Sequence, residues 1–185
     1  MAAKSNLTNM VLCLTAVCLV CSALLAFTYS LTLDPIAQAS RNKTNASIAR
    51  VLPEFSSDPV LCSVEVDGTE YSYYSVPGTG CAIVVTTSGF GGPLSVMVGV
   101  LEDGTVHNTV TLSHNETPGL GAKCATDRGF ISQFCGLNPQ SQKLLVKKDG
   151  GDVDAITAST ITSRAYTLAV ATAVKVHASI RKENE

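Results

Sequence analysis

An α+β fold follows from three features of the chain. There is an uncharged apolar segment near the N-terminus, a series of β-branched stretches divided by turn residues, and a long C-terminal stretch free of Gly and Pro. Together they predict an N-terminal transmembrane helix followed by one domain with a mainly antiparallel sheet and a closing C-terminal helix. Residues 1–33 form a short tip and the anchor, 34–55 a juxtamembrane helix or linker, and 56–185 the folded domain. A domain of that length buries a core without metal or disulfide staples.

The anchor comes first. No charged residue occurs from Ser5 to Leu33, and Met10 to Leu33 is dense in Leu, Val, Ala and Cys. A helix needs about 20 apolar residues to cross the hydrocarbon core, and this run supplies them. A cleaved signal peptide has a shorter apolar core, about 7–15 residues. A lipoprotein site is poor because Val17 and Val20 precede Cys18 and Cys21, where a small residue is wanted. An uncleaved single-pass anchor is therefore preferred. Lys4 precedes the span, while Asp34, Arg41 and Lys43 follow it, so flanking charge leaves the orientation open.

Asp34-Pro35 breaks the helix or lets it restart, and Ile36 to Val51 reads as a juxtamembrane helix ending before Pro53. Five strands follow: Leu61–Val66, Glu70–Val76, Cys81–Thr87, Leu94–Leu101 and Thr105–Leu112. Asp67-Gly68 and Asp103-Gly104 are hairpin signals between them, so the sheet is an antiparallel meander. The Gly89–Pro93 turn lacks the spacing and the Lys of a phosphate-binding loop and reads as a bulge or wide turn. A short helix lies around Phe130 to Phe134, a further strand at Leu144–Lys147, and a tight turn at Asp149–Asp152. Ile161, Ala165, Leu168, Thr172 and Val176 then recur at helical spacing.

Composition excludes several functions. The net charge is −2 and Lys147-Lys148 is an isolated pair, so nothing suggests nucleic acid. The absence of Trp argues against a stacking platform for sugars or single strands. Of the seven Cys, Cys13, Cys18 and Cys21 lie in the span and serve as small apolar filler. Cys62, Cys81, Cys124 and Cys135 match no zinc spacing; two disulfides or free thiols both fit, with free thiols preferred. No metal site and no catalytic residue is expected.

Two motifs carry chemistry. Asp154 to Arg164 reads Asp-Ala-Ile-Thr-Ala-Ser-Thr-Ile-Thr-Ser-Arg, placing Thr157, Ser159, Thr160 and Thr162 at the start of the C-terminal helix. A helix start stabilises a phosphate, although Thr157 or Ser159 acting only as an N-cap is the common use of such residues. Residues 114–121 read His-Asn-Glu-Thr-Pro-Gly-Leu-Gly. Gly119 and Gly121 let backbone approach a planar ring, Pro118 fixes φ, and Leu120 is a candidate apolar cover. Without further context this loop reads equally as a plain turn after a strand. His114 serves as a proton relay or as a structural residue, and Glu116 as a relay or as an acceptor for its own loop.

The two motifs, in this order behind an apolar anchor, resemble the FMN-binding domain family that includes the G component of the Rnf complex and the C component of the sodium-pumping NADH:quinone reductase. In that family the pattern Asp, two residues, Ser/Thr, Gly, Ala, Thr ends on a Thr that takes FMN through a phosphoester bond. Laid on this chain it gives Asp154, Thr157, Ala158, Ser159 and Thr160, so the resemblance makes Thr160 the covalent site. Ala158 replaces Gly and Ser159 replaces Ala, which keeps Ser159 as a weak rival acceptor. The resemblance implies that Thr157, Ser159, Glu116, Thr117, Gly119, Leu120, Gly121 and Thr162 line the flavin site.

It further implies an electron-transfer protein, not catalytic alone, in a complex coupling ferredoxin/NAD electron flow to Na⁺ or H⁺ movement. The partners implied are the other membrane proteins of the Rnf complex and a flavin transferase during maturation. The location implied is the cell inner membrane, with the N-terminus cytoplasmic and the flavin domain periplasmic. The short chain favours the Rnf relative over the quinone reductase. Two alternatives remain open: an anchored assembly protein without flavin, and an FMN module feeding a separate extracytoplasmic reductase.

Overall fold

The computed structural model describes residues 7–55, 57–139 and 141–184. It contains helices α1 (Leu7–Val51), α2 (Arg128–Ile131) and α3 (Thr160–Asn184). The strands are β1 (Val60–Val66), β2 (Thr69–Val76), β3 (Gly80–Ser88), β4 (Pro93–Leu101) and β5 (Val106–His114). The chain divides into two units, Met1–Thr44 and Asn45–Glu185.

In the first unit, Thr8–Ile36 is long and apolar enough to cross a membrane, with a mean hydropathy of 2.7. Its hydroxyls turn back onto their own helix. Thr15 donates to the Val11 carbonyl at 2.8 Å, Thr28 to Leu24 at 3.0 Å and Thr32 to Thr28 at 2.9 Å. Polar groups satisfied in this way can be carried into an apolar phase. The break expected at Asp34-Pro35 does not occur: α1 runs through Pro35 to Val51. The proline removes one backbone donor, and the good helix formers Gln38 and Ala39 carry the helix onward.

The second unit is built on a five-stranded sheet of order β1-β2-β3-β4-β5, every neighbour antiparallel. Each strand lies within one or two residues of the bounds its alternation predicts. Asp67 and Gly68 both take positive φ, 53° and 75°, the two-residue turn whose twist matches that of the flanking strands.

Both faces of the sheet are covered, which is why β4 is buried almost throughout. Ile83, Val85, Leu94, Val96, Val98 and Val100 face α3. Ala82 and Met97 point the other way and meet Ile48, Val51 and Leu52, the last turn of α1 and the residue after it. The end of that helix is tied down by polar contacts. Asn108 Nδ2 donates to the Arg50 carbonyl at 2.9 Å, and His107 Nδ1 lies 3.0 Å from the Val51 carbonyl. Residues 48–52, which the sequence reads as juxtamembrane linker, are thus part of the core.

The face that α3 buries is shifted from the expected one and shares Ala165 and Val176 with it. Of the expected stripe Ala165 and Val176 are buried and Thr172 is half-buried, but Ile161 and Leu168 are exposed, and Tyr166, Ala169, Val170 and Ala173 are buried beside it. Tyr166, Ala169, Val170 and Ala173 also have helical spacing. The small residues Ala169 and Ala173 let the helix lie close to the sheet, and Tyr166 supplies the largest buried side chain. Tyr166 packs against Phe130 and Phe134 at ring-centroid distances of 5.2 and 5.1 Å. Its hydroxyl donates to Thr109 Oγ1 at 2.9 Å, and burial pushes its pKa up to about 12.

The strand expected at Leu144–Lys147 does not form. Val146 makes a single parallel bridge to Val153, and Lys147–Asp149 is a 3-10 turn. The Asp149–Asp152 turn brings Val153 back onto this segment so soon that no longer ladder can develop. Cys62, Cys81, Cys124 and Cys135 are free thiols. Burial pushes Cys124 up to about 11, which leaves it unreactive as a nucleophile.

Candidate functional site

Two loops that are distant in sequence meet at the start of α3. The loop after β5 contributes Glu116, Thr117, Leu120 and Gly121; the segment opening α3 contributes Ala158, Ser159, Thr160, Ile161 and Thr162. With Phe90 from the turn between β3 and β4, they line a cavity of about 380 Å³. Small-molecule sites commonly measure about 300–1,000 Å³. Phe90 and Leu120 are 69 % and 44 % exposed, so the rim is apolar and open to solvent.

Glu116 organises this convergence. It is 6 % exposed, yet its carboxylate is fully engaged. Oε1 accepts from the Phe90 N–H at 2.8 Å and the Gly91 N–H at 3.3 Å. Oε2 accepts from the Thr162 hydroxyl at 2.8 Å. One side chain thus fastens the Gly-rich turn to the first turn of α3. The sequence offers a relay or an acceptor for its own loop; the observed role is acceptor for a different loop. His114 assists through Nδ1, which accepts from the Glu116 N–H at 3.3 Å. The glycines around Glu116 are there for space. A Cβ on Gly89 would lie 2.0 Å from Oε1, and one on Gly121 would lie 2.4 Å from Oε2.

The hydroxyl cluster divides by exposure and partner. Ser159 and Thr162 are buried, and Thr162 is committed to Glu116. Ser163, not Thr157 or Ser159, makes the visible tie at the helix start. Its Oγ accepts from the Ile156 N–H at 2.9 Å and donates to the Ser159 carbonyl at 3.0 Å. Thr160 is the first residue of α3 and is only partly buried, with its Oγ1 accepting from Lys148 Nζ at 3.2 Å. Among the cavity-lining hydroxyls of this cluster, Thr160 is the accessible one.

Ala158 has φ 60°, the left-handed region that glycine favours. This is the position where the resembling pattern has Gly. Left-handed backbone costs an L-residue about 1–2 kcal/mol. Glycine offsets part of that gain by about 0.4–1 kcal/mol through the entropy of the unfolded chain. Ala158→Gly is therefore expected to stabilise the domain by about 0.5–1 kcal/mol, a rise of about 2 °C in Tm. Thermal unfolding of the detergent-solubilised chain, followed by circular dichroism, checks this; a lower Tm refutes it.

Some motif residues lie outside the cavity. Gly119 has φ 77° and shapes the loop without lining it. Thr157 and Asp154 line a neighbouring cavity of about 310 Å³ with Asp127, Phe130 and Gln133. Gln133 pairs with the Asp154 backbone on both sides, accepting its N–H at 2.7 Å and donating to its carbonyl at 3.2 Å. The Asp154 carboxylate meets Lys147 at 2.7 Å. A larger cavity of about 720 Å³ lies beside the C-terminal half of α3, lined in part by Cys81, Glu102, Asp103 and His177, and no motif residue reaches it. Phe90, Ile161 and Lys148 are site residues that the sequence does not single out, and Ala158 stands out there only as a departure from the pattern. The turn carrying Phe90 was legible, but nothing local says that it folds against Glu116.

The architecture defines a class: an α+β domain behind an apolar helix long enough to cross a membrane, with a ligand-sized cavity at a helix start. Residues 89–175 match the model of the FMN-binding domain, and residues 1–51 match that of the RnfG N-terminal region. Relatives agree along most of the chain. The G component of the ion-translocating oxidoreductase complex from Shewanella baltica is 33 % identical over 84 % of this chain and 82 % of its own length. Its counterpart from Stutzerimonas stutzeri is 31 % identical over 95 % of this chain and 82 % of its own. That from Cereibacter sphaeroides is 35 % identical over 80 % and 73 %. The C component of the Na(+)-translocating NADH-quinone reductase from Parabacteroides distasonis superposes with a TM-score of 0.46 and 22 % identity, covering 62 % of this chain and 72 % of that one. The chain belongs to the G-component family of the ion-translocating oxidoreductase complex.

Proposed function

We propose that this chain is the FMN-carrying electron relay of a membrane-bound ion-translocating oxidoreductase complex, with the flavin joined through its phosphate to Oγ1 of Thr160. The observation that carries this reading is the shared cavity. It places Thr160, the accessible one of the helix-start hydroxyls that line it, beside Thr117, Leu120 and Gly121 from the other motif. The residues suit the group. The cavity of about 380 Å³ has room for a flat ring, Leu120, Phe90 and Ile161 offer apolar cover, and the first turn of α3 directs backbone N–H groups toward a phosphate. When bound, FMN supplies reversible electron acceptance; the protein holds the ring, limits water and leaves an edge open to partners.

The relay works between the other membrane proteins of the complex and turns over no substrate alone. In this reading electrons pass between reduced ferredoxin and NAD, coupled to movement of Na⁺ or H⁺. The anchor crosses the cell inner membrane once, with the domain on the periplasmic side. A carrier on that face has no cytoplasmic flavin pool to refill it. A covalent tether, made by a flavin transferase, keeps the local flavin concentration fixed.

The test is a denaturing gel of the full chain co-expressed with the transferase. A flavin fluorescence band that survives denaturation at the mass of this chain is expected. A chain that releases all its flavin on denaturation overturns the covalent attachment.

A further inference from the structure

We propose that Lys148 is the phosphate-binding cation of the site. Its ammonium pairs with the phosphodiester on Thr160, and the Asp149–Arg164 pair holds it in place. The proposal rests on the reading that Thr160 carries the flavin. Lys148 Nζ already donates to Thr160 Oγ1 at 3.2 Å. Esterification puts the phosphorus on that same oxygen. The ester oxygen is a poorer acceptor than the hydroxyl it replaces, whereas the charged phosphoryl oxygens beside it are better ones. The ammonium therefore has a stronger partner within reach and no need of a backbone shift.

The neighbouring side chains explain why Lys148 is left for this task. Lys147 is taken by Asp154 at 2.7 Å. Asp149 gives both its oxygens to Arg164, accepting from Nε at 2.7 Å and from Nη2 at 2.6 Å. The Arg164 hydrogen bonds hold the Asp149 carboxyl below the usual carboxylate range, so the fork stays charged at neutral pH. Among the described residues Lys148 has no carboxylate partner within ion-pair distance. Arg164 stands four residues after Thr160 on the same face of α3. The fork thus locks the Lys147–Asp149 turn to the helix one turn beyond the acceptor, and Lys148 is set over Thr160. In the sequence Lys147-Lys148 looks like a stray basic pair; in the fold its two members have separate duties.

The test uses ³¹P NMR of the full flavin-loaded chain in detergent. Lys148→Ala is expected to move the phosphodiester resonance and to make its position less sensitive to added salt. Lys148→Arg should restore most of the wild-type position, and Lys182→Ala, far along α3, should change nothing. A loaded Lys148→Ala chain with an unmoved resonance overturns the proposal and leaves the attachment intact. A wild-type chain with no phosphodiester resonance overturns the attachment itself. If Lys148→Ala takes up no flavin, a carboxylate at position 160 reports on the same pairing. Lys148→Ala should then lower the Tm of Thr160→Glu by a few degrees more than it lowers the Tm of Thr160→Ala. Equal losses in the two backgrounds overturn the proposal.

Discussion

Thr160→Ala is expected to leave no covalent flavin on the chain while the domain folds as before. Fold and attachment separate because Thr160 contributes little to packing. It is partly exposed, its hydroxyl meets only the end of an exposed lysine, and Ala is the best helix former for the position. Among the helix-start hydroxyls of the cavity, attachment has no substitute, and the exposed Thr157 lines the neighbouring cavity instead. Ser159 and Thr162 are buried, Thr162 is bound to Glu116, and Ser163 is engaged on both its donor and acceptor sides. A transferase must reach its acceptor, so the accessible hydroxyl of the cavity is the one expected to be modified. Ser159→Ala is accordingly expected to keep the flavin, at a cost of about 1 kcal/mol or less at the helix start. Peptide mass spectrometry of wild type and both variants decides the matter. Full flavin on Thr160→Ala, or an FMN-bearing peptide mapped to Ser159 or Thr162, would overturn the assignment.

The sheet was legible because its strands alternate and end in turn dipeptides that act locally. Asp67-Gly68 needs only its own two φ angles to make a hairpin. The burial face of α3 was only partly legible: Ala165 and Val176 are buried as expected, but Ile161 and Leu168 are as apolar as Val170 and lie exposed. Only the sheet opposite, with room for Ala169 and Ala173, selects between the faces. Leu144–Lys147 has strand composition but lacks a neighbouring edge with enough length to pair. At the site, the two motifs were readable as separate strings. That they line one cavity, and that Asp154 and Thr157 line the next, depends on contacts between distant segments. Ala158 lies between these cases. Its departure from glycine was visible in sequence, while its left-handed backbone explains what the departure costs.

Glu116→Ala is expected to unfasten the site and weaken the domain together. The side chain is buried and holds three donors: two backbone N–H groups of the Gly-rich turn and the Thr162 hydroxyl. Hydrogen bonds to a charged group each contribute about 1.5–3 kcal/mol, and donors stranded away from water add a penalty. Gly89 and Gly121 leave no side chain to fill the space, so truncation also opens a void. Water entering near the exposed Phe90 relieves part of this loss, which sets the expected cost at about 3–5 kcal/mol and the fall in Tm at about 10 °C. Glu116→Gln separates shape from charge. It keeps an acceptor for Phe90 and Gly91, and its amide can donate to a Thr162 hydroxyl that rotates to accept, so about 1–2 kcal/mol is expected. Thermal unfolding of the detergent-solubilised chain gives the ranking, and flavin occupancy after co-expression with the transferase gives the functional consequence. Glu116→Ala should lose occupancy well beyond its fraction unfolded, because the turn bearing Phe90 is no longer tied to the start of α3. Equal Tm values for wild type and Glu116→Ala, with full occupancy, would show that Glu116 is not the fastening of this site.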